Sequence, residues 1–134
     1  MATLLAHITV RSGSEVRFEE IARELYERTH ADEPDVLRYE YWRGATSGTY
    51  YTLLAFDDHR AFIDHQTSDH HEEASPAIGA VVESFRLEWV DPISGASDLP
   101  PTNSQPAPEG ADELTTRYAA SYAAQVADWW LALR

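Results

Sequence analysis

TYYTLLAFDDHRAFIDHQTSDHH, residues Thr49 to His71, decides how this chain folds. Its first eight residues, through Phe56, are rich in aromatic and β-branched types and read as a strand. Asp57 or Asp58 then offers a carboxylate to the free backbone N–H groups of a first helical turn. Ala61, Phe62, His65 and then Ser68 or Asp69 recur at helical spacing, which predicts a helix from about Asp58 to Thr67. His65 lies on or beside the face carrying Ala61 and Phe62, the face turned to the sheet. A titratable imidazole is thereby placed at the wall of whatever cavity sheet and helix enclose. The plainer alternative is a satisfied histidine at the end of a surface helix, with His70 and His71 in solvent. Asp69 followed by Glu72 looks like a capping box opening a further short helix to about Ala80, which Pro76 would break or kink.

Upstream, residues 3–10 alternate: Leu4, Ala6, Ile8 and Val10 share one side of a strand. A Ser/Gly turn at 11–14 leads into a helix from about Glu15 to Thr29, with Phe18, Ile21, Ala22, Leu25 and Thr29 as its buried stripe. Pro34 pushes Glu33 out of helical geometry. Val36 to Arg43 alternates again, setting Leu37, Tyr39 and Tyr41 opposite Arg38, Glu40 and Trp42. Gly44 to Gly48 forms a hairpin loop. Downstream, Val81 to Val90 is a fourth strand. The order β-α-β-β-α-β, with right-handed crossovers, predicts an α+β, ferredoxin-like fold: a four-stranded antiparallel sheet with helices on one face. The other face would be bare and aromatic, and the economical cover is the same face of a second subunit. The folded domain is thus expected over residues 1–90.

Residues 91–111 hold five of the seven prolines among Ser, Gly and Asn, and read as an extended linker. Residues 112–134 read as one amphipathic helix with Leu114, Tyr118, Tyr122, Val126, Trp129 or Trp130, and Leu133 as its stripe. It is expected to pack on its own subunit or on a partner.

The net charge of −13 argues against nucleic acid or an anionic membrane as partner. There is no long apolar run to span a bilayer and no secretory signal pattern at the start, so a cytoplasmic location is expected. Cysteine is absent, which removes disulfides, thiolate nucleophiles and cysteine-ligated metal. All ten basic residues are arginine, which removes lysine Schiff-base chemistry. No glycine-rich dinucleotide loop is present. A metal set of His65, Asp69, His70 and His71 is disfavoured, because the capping signal at Asp69 breaks the helix that would align them. No cofactor is expected.

The order of elements, together with ITVRSG (8–13), FEEIARELYERT (18–29), the acidic turn into Val36–Trp42, and D-D-x-x-A-F-x-x-H (57–65), resembles the antibiotic-biosynthesis-type monooxygenases of the dimeric α/β-barrel superfamily. The resemblance covers residue 3 to about residue 90. It implies a homodimer whose sheets face each other, a pocket between sheet and helices, and oxidation of a small aromatic or quinol substrate by molecular oxygen without flavin or metal. The branch of that family that degrades haem uses an Asn on the first strand and a Trp at the position of His65. This chain has neither, which disfavours haem degradation.

Such chemistry asks the protein for a base, hydrogen bonds to the developing oxyanion, and a dry aromatic pocket. His65 is the candidate base, because imidazole titrates near neutral pH. His70 or His71 is the candidate to orient it or to hold a second oxygen. Tyr39, Tyr51 and Trp42 are candidates to stack on or bond a flat substrate, and Arg43 or Arg86 to stabilise an enolate. The competing expectation is a non-catalytic dimer that binds a small molecule. A buried His65 facing a cavity beside a tyrosine would favour chemistry; a solvent-facing one would not.

Overall fold

The computed structural model describes residues 1–134. Its core is a four-stranded antiparallel sheet in the order β2-β3-β1-β4, built from β1 (Ala2–Val10), β2 (Val36–Arg43), β3 (Thr49–Phe56) and β4 (Val82–Trp89). Three helices complete the ferredoxin-like domain: α1 (Glu15–Asp32), α2 (His59–Thr67) and α3 (Asp69–Val81). The alternation read from β1 holds. Ala2, Leu4, Ala6, Ile8 and Val10 are all buried on the helix side, and so is the expected stripe of α1. Leu54 and Phe56 of β3 with Phe62 and Ile63 of α2 continue the same core.

In the turn between β2 and β3 a positive φ requires glycine at one place. Gly48 has φ +79°, and a Cβ there would also sit 3.2 Å from the Val10 carbonyl oxygen. That close approach exists because Val10 N–H donates to Gly48 O at 2.8 Å, tying the hairpin to β1.

Of the two candidates to start α2, Asp58 is the cap, its side chain accepting from Ala61 N–H at 2.8 Å. Its other oxygen accepts from Gln105 in the tail at 3.2 Å. Asp58→Ala is therefore expected to lower stability by about 1–2 kcal/mol, read as a shift in the urea midpoint. No shift would remove the cap from the account of this helix. At the next boundary the cap is Ser68 and not Asp69: Ser68 is extended and its hydroxyl accepts from His71 N–H. Asp69 becomes the first helical residue, where its charge suits the helix dipole. Pro76 does not end α3, which continues to Val81; eight residues into the helix, the proline forgoes one backbone bond without breaking the element.

The tail departs from expectation. In place of one helix over 112–133 there are two short ones, α4 (Glu113–Ser121) and α5 (Asp128–Leu131). The physical reason lies in tertiary contacts. The Tyr122 carbonyl accepts from His59 Nε2 at 2.9 Å, and its ring packs edge-on against Phe62. Tyr122 takes a non-helical conformation at that point. Residues 91–111 fold back on the domain: Thr102 is fully buried, its hydroxyl donates to Val90 O at 2.7 Å, and Asn103 N–H donates to Met1 O. Arg134 closes the circuit with paired bonds to Asp91 and one to the Thr102 carbonyl.

Candidate functional site

The cavity beside α2 follows from the strand register. Tyr41 of β2, Thr52 of β3, Ala6 of β1 and Leu87 of β4 lie side by side across the sheet. The two central positions are small, so the helices cannot fill the space above them. The result is a cavity of about 420 Å³, walled by His65 and His71 from the helices, by Tyr39, Tyr41 and Phe85 from the sheet, and by Tyr122 from the tail.

His65 projects from the buried face of α2, three residues after Phe62, and is 1% exposed. Its ring lies edge-on to Tyr39 (4.8 Å between centroids), tilted over Phe56 (5.2 Å) and edge-on to His71 (4.9 Å). Nδ1 lies 3.0 Å from both oxygens of Glu33. Glu33 arrives there through local chemistry. It caps the end of α1 with φ −114° and ψ 99°, the extended geometry that Pro34 imposes on the residue before it. His70 reaches the same carboxylate, Nε2 to Oε1 at 2.7 Å, and contacts the Thr29 hydroxyl at 3.3 Å.

The carboxylate can accept from both rings. With its Nδ1–H donated to Glu33, a neutral His65 carries a lone pair on Nε2, and Nε2 is buried with no partner. Burial pushes Glu33 up to about 7, against the pull of His70. Burial, reinforced by His70, pushes His65 down to about 3. His71 is pushed down to about 4 by burial and by His65. Burial also raises Tyr41 to about 12 and Tyr39 well above its usual range, so both phenols stay neutral, joined OH to OH at 2.8 Å.

These shifts fix a sign for stability. Unfolded, the histidines titrate near 6.5 and Glu33 near 4.5. Between those values the unfolded chain holds protons on both histidines, whereas the folded one holds a single proton on Glu33. Unfolding then takes up about one proton, so stability falls by about 1.4 kcal/mol for each unit of acidification across this window. Glu33→Gln removes the opposing contribution and is expected to double that slope in urea titrations at pH 4.5–6.5. An unchanged slope would contradict the buried carboxyl.

Glu33, His65 and His70 also place one oxygen and two nitrogens within 4.8 Å of one another, donor types that could hold a divalent metal. The set differs from the one considered on sequence: Asp69 and His71 are not in it. As it stands, the carboxylate joins the two rings as a hydrogen-bonded trio.

Of the residues singled out from sequence, His65, His71 and Tyr39 meet at the cavity, and His70 sits behind them against Glu33. Trp42, Tyr51 and Arg86 do not join them. Strand alternation sets them on the sheet's other face, where Tyr51 pairs with both His7 and Trp42, and His7 with Arg86. Trp42 is 59% exposed, and Arg86 bonds to Glu88. Arg43 is engaged by Glu19 at the edge of the sheet. Residues missed on sequence are Glu33, Tyr41, Thr52 and Tyr122. The residue before Pro34 gave some signal for Glu33; the others depend on strand register and tail docking.

A family model described as antibiotic biosynthesis monooxygenase matches residues 1–77. Solved structures share the fold. PA3566 from Pseudomonas aeruginosa is 24% identical with a TM-score of 0.61, over 66% of this chain and 89% of its own. A candidate antibiotic biosynthesis monooxygenase from Caulobacter crescentus CB15 is 24% identical with a TM-score of 0.65, over 69% and 89%. Rv0793 from Mycobacterium tuberculosis is 15% identical with a TM-score of 0.65, over 72% and 98%. No curated protein matches the chain.

Proposed function

The chain belongs to the antibiotic biosynthesis monooxygenase family, and from that premise we propose that it oxidises a small aromatic or quinol-type substrate with molecular oxygen, the substrate supplying the electrons. The observation that carries this reading is the unpartnered Nε2 of His65, buried beside Tyr39 on the wall of the cavity. Glu33 accepts the Nδ1–H, holds the ring in place and fixes its tautomer, which leaves Nε2 to take the proton of a substrate hydroxyl. The resulting phenolate is electron-rich enough to reduce oxygen directly. One oxygen atom becomes a new ring carbonyl and the other leaves as water, with the hydroxyl proton and the hydrogen of the attacked carbon. Tyr39 and Tyr41, neutral and mutually bonded, set two rings edge-on to each other on the wall, apolar surface that limits water around the anion.

The reading includes a homodimer formed through the helix-free sheet face. Leu5, Tyr51 and Leu53 are only half-buried there, and Trp42 is exposed. A cytoplasmic location goes with it, for a chain without cysteine and with no helix long and apolar enough to cross a membrane.

The test is oxygen consumption by purified, untagged protein with a panel of phenols, hydroquinones and polyhydroxylated aromatics, with chelator present and no flavin added. Uptake that tracks substrate and enzyme supports the proposal. Uptake that appears only when flavin or a metal is restored, or with no compound at all, defeats it.

A further inference from the structure

Four buried side-chain polar atoms in this protein lack a hydrogen-bond partner: Thr3 Oγ1, Thr52 Oγ1, His65 Nε2 and His71 Nδ1. The last three belong to residues lining the one cavity beside α2. Such atoms are rare in folded proteins, because each forfeits its hydration without replacement. Three around one cavity describe a site whose missing partners belong to its ligand.

The chemistry of that ligand can be read from the wall. His65 and His71 are both held neutral, and a neutral imidazole has one donor and one acceptor. His65 spends its donor on Glu33, and His71 has no hydrogen-bond partner at Nδ1. His65 Nε2 is then a bare acceptor and His71 Nδ1 a second bare ring nitrogen, and hydroxyls suit both, because a hydroxyl either donates or accepts. No arginine lines the space, and its one charged residue is Glu83, so a carboxylate or phosphate finds no counter-charge. The two imidazoles pack edge-on, 4.9 Å between centroids. Hydroxyls on opposite ring carbons point away from each other and cannot both reach two rings so close together. Hydroxyls on adjacent carbons point the same way.

Building on the cavity as the substrate site, we propose that it takes a neutral aromatic with hydroxyls on adjacent ring carbons, one donating to His65 Nε2 and the other hydrogen-bonded to His71 Nδ1. The Thr52 hydroxyl on the floor is left to meet a further oxygen of the same molecule.

The test is calorimetric titration of the full-length protein under anaerobic conditions with catechol, resorcinol, hydroquinone and phenol. Catechol is expected to bind about tenfold tighter than phenol or hydroquinone, the worth of one well-made buried hydrogen bond. His71→Leu is expected to erase the difference between catechol and phenol. Imidazole nitrogen shifts in the unmodified protein give a second reading that needs no variant. Catechol should move both His65 Nε2 and His71 Nδ1, and phenol only one. Equal binding of catechol and phenol, a preference for hydroquinone, no binding of any of the four, or movement of a single nitrogen by catechol would each overturn the proposal. Anaerobic binding is independent of oxygen chemistry, so tight catechol binding without oxygen uptake would defeat the monooxygenase reading and leave this one standing.

Discussion

His65→Ala is expected to lower substrate-dependent oxygen consumption by about 10²–10⁴-fold, the range that a positioned general base contributes. The size of the effect follows from the site. No other group on the cavity wall is set up in the same way. His71 lacks a carboxylate partner like Glu33, and Tyr39 and Tyr41 hold their protons far above neutral pH. The variant should fold, because the space it opens adjoins an existing cavity and it removes an unpartnered buried atom. A melting temperature close to that of the unmodified protein is the control. Equal rates in the two proteins would sink the role given to His65.

The pH profile separates His65 from the residue that positions it. Activity needs the Nδ1–H donated to a carboxylate, and Glu33 is an anion only above about 7. Once protonated, Glu33 can donate instead; the imidazole proton then moves to Nε2 and the base is lost. The rate should rise with pH through about 7, a midpoint set by Glu33 and not by the histidine that moves the proton. Glu33→Gln is expected to flatten this limb and to lower the maximal rate by up to about 10⁴-fold, because the amide can donate to Nδ1 and so hold the wrong tautomer, and it stabilises the imidazolium less. A limb at unchanged pH in Glu33→Gln would assign it to another group, the substrate hydroxyl among them.

How much of this was legible in the chain depended on the range of the interactions. The strands and first helices follow from period-two and period-3.6 patterns, each resolved within a dozen residues, and Ala6, Ile8, Phe18 and Leu25 fell on the correct sides. His65 was legible for the same reason: three residues after Phe62, it had to face the sheet. Its partner was not. Glu33 is 32 residues away, and the two meet only because the fold returns the chain leaving α1 to the end of α2. Trp42, Tyr51 and Arg86 show the opposite error. They are suitable in chemistry and stand within three residues of Tyr39, Thr52 or Leu87, but each falls on the parity of its strand that faces away from the cavity. The break in the tail helix was hidden because Ala119 to Ala127 favours helix throughout; His59 and Phe62, from the other end of the fold, override that propensity at Tyr122.

Phe62→Ala is expected to cost about 3–5 kcal/mol, a large share of the roughly 5–15 kcal/mol that holds a domain together. Phe62 is fully buried and touches three parts of the structure at once: Phe56 on the sheet (5.6 Å between centroids), Trp89 at the end of β4 (5.5 Å) and Tyr122 on the tail (6.0 Å). Truncation removes the ring's transfer free energy and leaves a void between α2 and the sheet that rigid aromatic neighbours cannot close. The urea midpoint should fall at nearly unchanged slope, with tryptophan fluorescence as a convenient probe because Trp89 packs on the lost ring. Tyr122→Ala removes one of the same contacts from a half-buried position and should cost less. That order tests whether the tail rests on the domain or holds it up. If Tyr122→Ala proved as damaging as Phe62→Ala, α4 would be part of the core, and the family domain could not stand without it. If Phe62→Ala cost under about 1 kcal/mol, α2 would be held to the sheet by the Glu33–His65–His70 hydrogen bonds, and Glu33→Gln would then be the more destabilising change.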